Sequence, residues 1–230
     1  MKGKEPIRDL ALVAALAVGL LAGLGASRLG GSPASIAREP ATARRDAPPS
    51  PTEASDREMV LAVVREHRPS GSERWSLQLA RAIHDEARSA GIDPLLVVSI
   101  VAKESSFRSQ VVSSAGAVGL MQIRPFVGQD LAASHDLPWN DGEILQDPTI
   151  NVRLGITYYK QLLQRFGGDA NMALTAYNFG PTRVSLAIDQ GTYRSSRYAR
   201  EVLDLYGRLV AARQSLAVNR VVSLPAGDPA

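Results

Sequence analysis

From Asp56 onward the apolar positions of this chain recur at helical spacing, and almost nowhere do they alternate with the two-residue period of a strand. Met59, Val60, Val63 and Val64 make a short stripe. Ser72 is placed to cap a helix carrying Trp75, Leu79, Ala82, Ile83 and Ala87 on one side, with Gly91 as its stop. Asp93 and Pro94 then provide a cap and a first-turn proline for the apolar run Leu95 to Val101, broken only by Ser99. Pro125 predicts a helix through Leu131. Asp147-Pro148 predicts another, with Ile150, Leu154, Tyr158, Leu162 and Phe166 along one side before Gly167-Gly168. Asn171 to Tyr177 is a short apolar segment, and a last long helix is expected from about Tyr198 into the region of Val210. The pattern predicts one all-α domain.

The first 55 residues follow another rule. Leu10 to Ala26 is uncharged and rich in Leu, Ala, Val and Gly, and it follows Lys2, Lys4 and Arg8, with Glu5 and Asp9 diluting that positive flank. Such a segment reads as an export signal, long for a cleaved one and short for a spanning helix, so residues 1–26 are expected to be a signal peptide or a signal anchor. The basic residues on its N-terminal side put the rest of the chain outside the cytoplasm, in the cell envelope, with the inner membrane as the anchor if the segment is retained. Residues 27–55, rich in Pro, Gly, Ala, Ser and Arg, cannot bury enough apolar surface to fold alone and read as a disordered linker. Fully extended, it would reach on the order of 90 Å. The folded domain is then expected over 56–216, with a flexible tail at 217–230.

Composition narrows the chemistry. Apolar residues make up 45% of the chain, ample for a packed core, and there is no cysteine, so neither a disulfide framework nor a lipidated N-terminal cysteine is available. His67, His84 and His135 show no metal-ligand spacing; no metal and no cofactor are expected. The net charge is +3, and residues 57–230 carry 19 basic and 17 acidic side chains. That near balance argues against a nucleic-acid partner.

One carboxylate stands apart. Val97, Ile100, Val101 and Glu104 follow the i, i+3, i+4, i+7 spacing, so Glu104 extends an apolar stripe near the C-terminal end of its helix. Desolvation and the negative end of the helix dipole both favour its protonated form, which is what a general acid requires. Around it, Glu104-Ser-Ser-Phe107, Ser113-Ser-Ala-Gly-Ala-Val-Gly-Leu-Met-Gln-Ile123, Asn151-Val-Arg-Leu-Gly155 and Ala176-Tyr-Asn-Phe-Gly180 occur in that order.

In order and spacing these four blocks resemble the lytic transglycosylases of the goose-lysozyme-like superfamily, SLT domain type, over roughly residues 73 to 210. The resemblance implies a lysozyme-like helical fold and cleavage of peptidoglycan glycan strands at the β-1,4 bond between N-acetylmuramic acid and N-acetylglucosamine. It implies Glu104 as the catalytic acid, then as the base that directs the muramic 6-hydroxyl onto its own anomeric carbon, leaving 1,6-anhydro ends. Ser113 falls where the family has a serine contacting that glutamate or the substrate's N-acetyl group. Gly119 implies a close backbone approach, Met121 and Gln122 a cleft-lining pair, Tyr177 a hydroxyl near the glutamate, and Asn178 a residue that orders the site.

Two positions depart from the pattern. Many relatives carry a Glu-Thr pair ahead of the last helix, where this chain reads Tyr193-Arg-Ser-Ser-Arg-Tyr198, and Phe179 replaces a small residue. Two other readings stand beside the lytic one. A hydrolytic muramidase on the same fold would need a second carboxylate to activate water, drawn from Asp130, Asp136, Asp141, Glu143 or Asp147. A peptidoglycan-binding envelope protein without turnover would need none of the motif chemistry, yet all of it is present.

Overall fold

A computed structural model describes residues 51–68 and 72–222; the segment read as a signal or anchor, most of the linker and the end of the tail lie outside them. The described chain is all-α. Its helices are α1 Pro51–His67, α2 Glu73–Ala90, α3 Pro94–Ser105, α4 Pro125–Ser134, α5 Pro148–Arg165, α6 Ala170–Phe179, α7 Pro181–Asp189 and α8 Arg197–Val222, with a 3₁₀ turn at Glu143–Gln146 between α4 and α5.

Side-chain caps set four of these helix starts. Ser72 accepts from the Trp75 N–H at 3.2 Å, Asp93 from Leu95 at 2.9 Å, Asp147 from Thr149 and Ile150 at 2.9 Å, and Asp169 from Met172 at 2.8 Å. Prolines 51, 94, 125, 148 and 181 all stand at helix starts, where their missing N–H costs nothing. Gly91 closes α2 in the left-handed conformation, as expected from the sequence.

Three features differ from the pattern reading. α1 begins at Pro51, ahead of Asp56; α8 continues to Val222; and Gly180-Pro181, which reads as the end of α6, also starts α7. Asp56 is 1% exposed and Met59, Val60, Val63 and Val64 are buried, so packing holds the stretch of α1 from Asp56 to Val64.

α3 is the central rod. Every residue from Pro94 to Ala102 is buried, and α1, α2 and α8 pack around it. Leu95, Val97, Val98, Ile100 and Val101 have no exposed surface, each worth roughly 1.5–3 kcal/mol of apolar burial. A helix buried all round cannot slide or rotate without breaking these contacts, so the position of its last turn is fixed. Its first turn is tied to distant elements as well. Arg213 of α8 bonds Asp56 of α1 at 2.8 Å and Asp93 at 3.0 Å, and the Tyr206 hydroxyl donates to Asp93 at 3.0 Å.

Candidate active site

The half-buried side chain of Glu104 emerges in the last turn of α3. Beyond Ser105 the backbone turns sharply: Ser106 and Phe107 both take positive φ, 50° and 59°, a conformation that costs L-residues energy. Burial of Phe107, whose ring lies 4.9 Å from that of His67, holds this turn in place. The neighbouring cation, Lys103, pairs with Glu201 of α8, which Arg197 also holds at 2.6 Å. Those two cations keep the Glu201 carboxyl below the usual carboxylate range, Lys103 more strongly than Arg197, and the ammonium beside Glu104 is thereby engaged elsewhere.

Two tyrosines face Glu104. Tyr177, at the end of α6, donates its hydroxyl proton to the Met121 carbonyl at 2.7 Å. Burial, then the Glu104 charge, then Tyr158 push its ionisation well above the ordinary value. Tyr198, in the first turn of α8, is held up by the same first two causes and by its hydrogen-bonding proximity to Glu104. Its buried hydroxyl reaches no partner at good hydrogen-bond geometry, so the contact with the carboxyl is close but not an aligned bond. Both phenols therefore stay neutral far into the alkaline range.

The start of α8 is what brings Tyr198 there. Ser196, 6% exposed, accepts from the Ala199 N–H at 2.9 Å, receives the Thr175 hydroxyl at 3.3 Å and donates its own N–H to Thr175 at 3.2 Å. Thr175 lies two positions before Tyr177 and Ser196 two before Tyr198, so one polar clasp places both tyrosines.

The segment from Val111 to Ile123 folds as two successive tight turns, with Val118 and Ile123 exchanging backbone bonds at 2.9 and 3.0 Å. Ser113 accepts from the Ala117 N–H at 3.0 Å, so its hydroxyl already serves the loop. Gln122, itself at φ 49°, gives its side-chain NH₂ to the carbonyls of Val111 at 3.1 Å and Gly119 at 2.9 Å, leaving its amide oxygen uncommitted. Met121 points into the core and is fully buried against Gly155, where an added methyl would lie 2.4 Å from its sulfur. Asn178 is exposed at the end of α6.

Asn151 had no role assigned from the sequence, yet it fastens the whole loop to α5. Fully buried, it accepts from the Met121 N–H at 2.8 Å and donates to the carbonyls of Val118 at 2.9 Å and Leu145 at 2.8 Å. Gly119 is what allows this approach. Its φ is 81°, and a Cβ there would lie 2.3 Å from the Asn151 amide nitrogen.

Glu104, Tyr177 and Tyr198 thus converge, with the Met121 carbonyl joined through Tyr177. Of the acids of the insert, Asp130, Asp136, Asp141 and Glu143 are exposed, and Asp147 caps α5. Arg194, where many relatives have glutamate, is exposed and bonds its neighbour's carbonyl at 2.8 Å.

Comparison with known proteins sets this arrangement in a family. The soluble lytic murein transglycosylase of Salmonella typhimurium is 32% identical over 114 residues, 49% of this chain but 18% of that protein. The transglycosylase of Enterobacteria phage PRD1 is 30% identical over 118 residues, 51% of this chain and 41% of that protein. The match therefore spans less than half the length of each of these relatives. Among solved structures, an inactive mutant of lytic transglycosylase Slt from Pseudomonas aeruginosa is 26% identical and covers 76% of this chain and 32% of that one, with a TM-score of 0.48. The family model for the transglycosylase SLT domain matches residues 81–198, a span that includes Glu104, the double-turn loop, Asn151 and both tyrosines. With more than half of its length matched, the chain belongs to the transglycosylase SLT domain family.

Proposed function

We propose that this protein is a lytic transglycosylase that cuts peptidoglycan glycan strands between N-acetylmuramic acid and N-acetylglucosamine and leaves 1,6-anhydro-muramic ends. The observation that carries the reading is a half-buried carboxyl at a helix C-terminus facing two neutral phenols. Glycosidic cleavage passes through an oxocarbenium-like state and needs a proton on the leaving oxygen. Glu104 supplies it. The only proton of Tyr177 is committed to Met121, so its oxygen can serve the carboxyl solely as an acceptor, which suits a protonated Glu104. Tyr198, whose hydroxyl lies in hydrogen-bonding proximity to Glu104, can donate once Glu104 has become a carboxylate.

In the second step that carboxylate takes the proton of the muramic 6-hydroxyl as the oxygen closes on the anomeric carbon. Being on the same sugar, this nucleophile outcompetes water through proximity. Sugar contacts are assigned to Gln122, through its free amide oxygen, to the exposed Asn178 and to Ser113 in the same loop as Gln122. Met121 and Gly119 serve by holding the loop.

The muramidase alternative is disfavoured by one observation. Glu104 is the carboxylate whose charge acts on Tyr177 and Tyr198, while the acids of the insert are exposed or used as a cap. The export reading of residues 1–26 supports a place in the cell envelope, either anchored through that segment or released from it, with glycan strands as the partner.

The test is a zymogram of the chain and its Glu104→Gln variant on isolated sacculi. General acid work contributes ~10²- to 10⁴-fold, so the variant is expected to clear nothing visible while keeping its circular dichroism spectrum. A variant with more than a tenth of the original activity excludes Glu104 as the acid.

A further inference from the structure

Beside the catalytic group stands a surface that the cleavage chemistry does not use. The Tyr177 ring packs at 5.3 Å against that of Tyr158, and Tyr158 is in turn acted on by the charges of Arg124 and Arg165. Arg165 reaches across to α7, bonding Ser185 at 3.2 Å, and Arg183 of the same helix lies 5.0 Å over the ring of Phe179. On the other side Arg124 lies 6.0 Å over Phe126. Phe126 and Phe179 are 64% and 50% exposed, unusual for phenylalanine in a small domain. None of the three guanidiniums has a carboxylate within 4 Å among the described residues.

From this we infer that Arg124, Arg165 and Arg183, with Phe126, Phe179 and Tyr158, form a cationic and aromatic rim that grips the peptide arms of the glycan, so that the enzyme acts on peptide-bearing strands in preference to bare ones. This rests on the function proposed above. The chemistry favours that occupant. Guanidiniums recognise carboxylates in a fixed fork, and aromatic faces cover aliphatic stems; peptide arms provide both. A strand stripped of peptides keeps only the lactyl carboxylate, which sits on the sugar ring itself. The rim stands a tyrosine layer farther from Glu104, beyond Tyr177 and Tyr158. Phe179, the departure noted in the sequence, is then the feature that gives Arg183 a surface to lie on.

The experiment uses the full chain and R124Q/R165Q/R183Q on three substrates: intact sacculi, sacculi freed of peptides by an amidase, and intact sacculi with peptide carboxylates capped as methylamides. Exposed charge pairs each contribute a factor of about two to five, so the triple variant is expected to lower the intact-to-stripped ratio of kcat/KM roughly tenfold. Capping should have the same effect on the original protein and make the variant's substitutions inconsequential. An unchanged ratio in the variant, or an equal loss on capped strands, overturns the inference. Sedimentation of the Glu104→Gln chain with intact and stripped sacculi reads the preference without turnover. Preferential sedimentation together with no cleavage by the original chain would sink the catalytic reading alone; cleavage by the original chain without preference would sink the peptide rim alone.

Discussion

At the scale of single residues, the two phenols beside Glu104 carry different obligations, and substitution separates them. Tyr177→Phe strips the Met121 carbonyl of its donor and should cost ~1–3 kcal/mol of stability, measured by urea unfolding. Tyr198→Phe removes a hydroxyl with no aligned bond, so unfolding should change by less than about 1 kcal/mol, while kcat on sacculi falls more than tenfold with KM little altered. Equal turnover in Tyr198→Phe and the original chain would remove Tyr198 from the site. Glu104 and Tyr177 were legible in the sequence because each sits inside a spaced block. Tyr198 was legible only as the start of a helix. Its meeting with Glu104 depends on the Ser196–Thr175 clasp between α8 and α6, a contact between distant segments that no local periodicity encodes.

At the scale of elements, the loop that borders the site is stapled by one buried amide. Asn151→Ala would orphan the Met121 N–H and the carbonyls of Val118 and Leu145 together, a loss of about 3 kcal/mol or more in unfolding free energy. Gly119→Ala should be comparably damaging, since the added methyl meets the Asn151 amide at 2.3 Å with φ already at 81°. A melting temperature unchanged in both would mean that the staple contributes nothing. The caps and prolines that start α3 and α5 were readable as local chemistry. The inward turn of Met121 was not, because its side chain is directed by Gly155 on α5, and a methionine beside a glutamine in a loop suits either a cleft or a core. α7 was missed for a related reason: Gly180-Pro181 signals the end of one helix and the start of the next with equal force.

At the scale of the whole molecule, α3 is fixed at both ends by charges from other helices. Asp56, 1% exposed, relies on Arg213, so Arg213→Met should destabilise the fold by about 3–5 kcal/mol, read as a shift in the urea midpoint. The tyrosines add a pH dependence whose sign is set by burial. Tyr177 and Tyr198 are held well above 10.0, and Tyr159 and Tyr206 are raised to about 12, chiefly by desolvation. Their folded values exceed the unfolded one, so this stabilisation is fully present below about pH 10 and is lost as pH rises through the folded values. Urea midpoints should therefore fall steadily above pH 10, and a flat profile would contradict the burial of these phenols. The all-α class and the central position of α3 follow from periodicity and capping in the sequence, whereas the packing that turns Glu104 toward two phenols is a property of the assembled fold. The central claim is that one carboxyl carries both steps and the muramic 6-hydroxyl is the nucleophile. Mass spectrometry of the soluble products from sacculi tests it most directly: fragments ending in 1,6-anhydro-N-acetylmuramic acid, lighter by one water and inert to borohydride, are predicted, and muramic ends that borohydride reduces as the main product would contradict it.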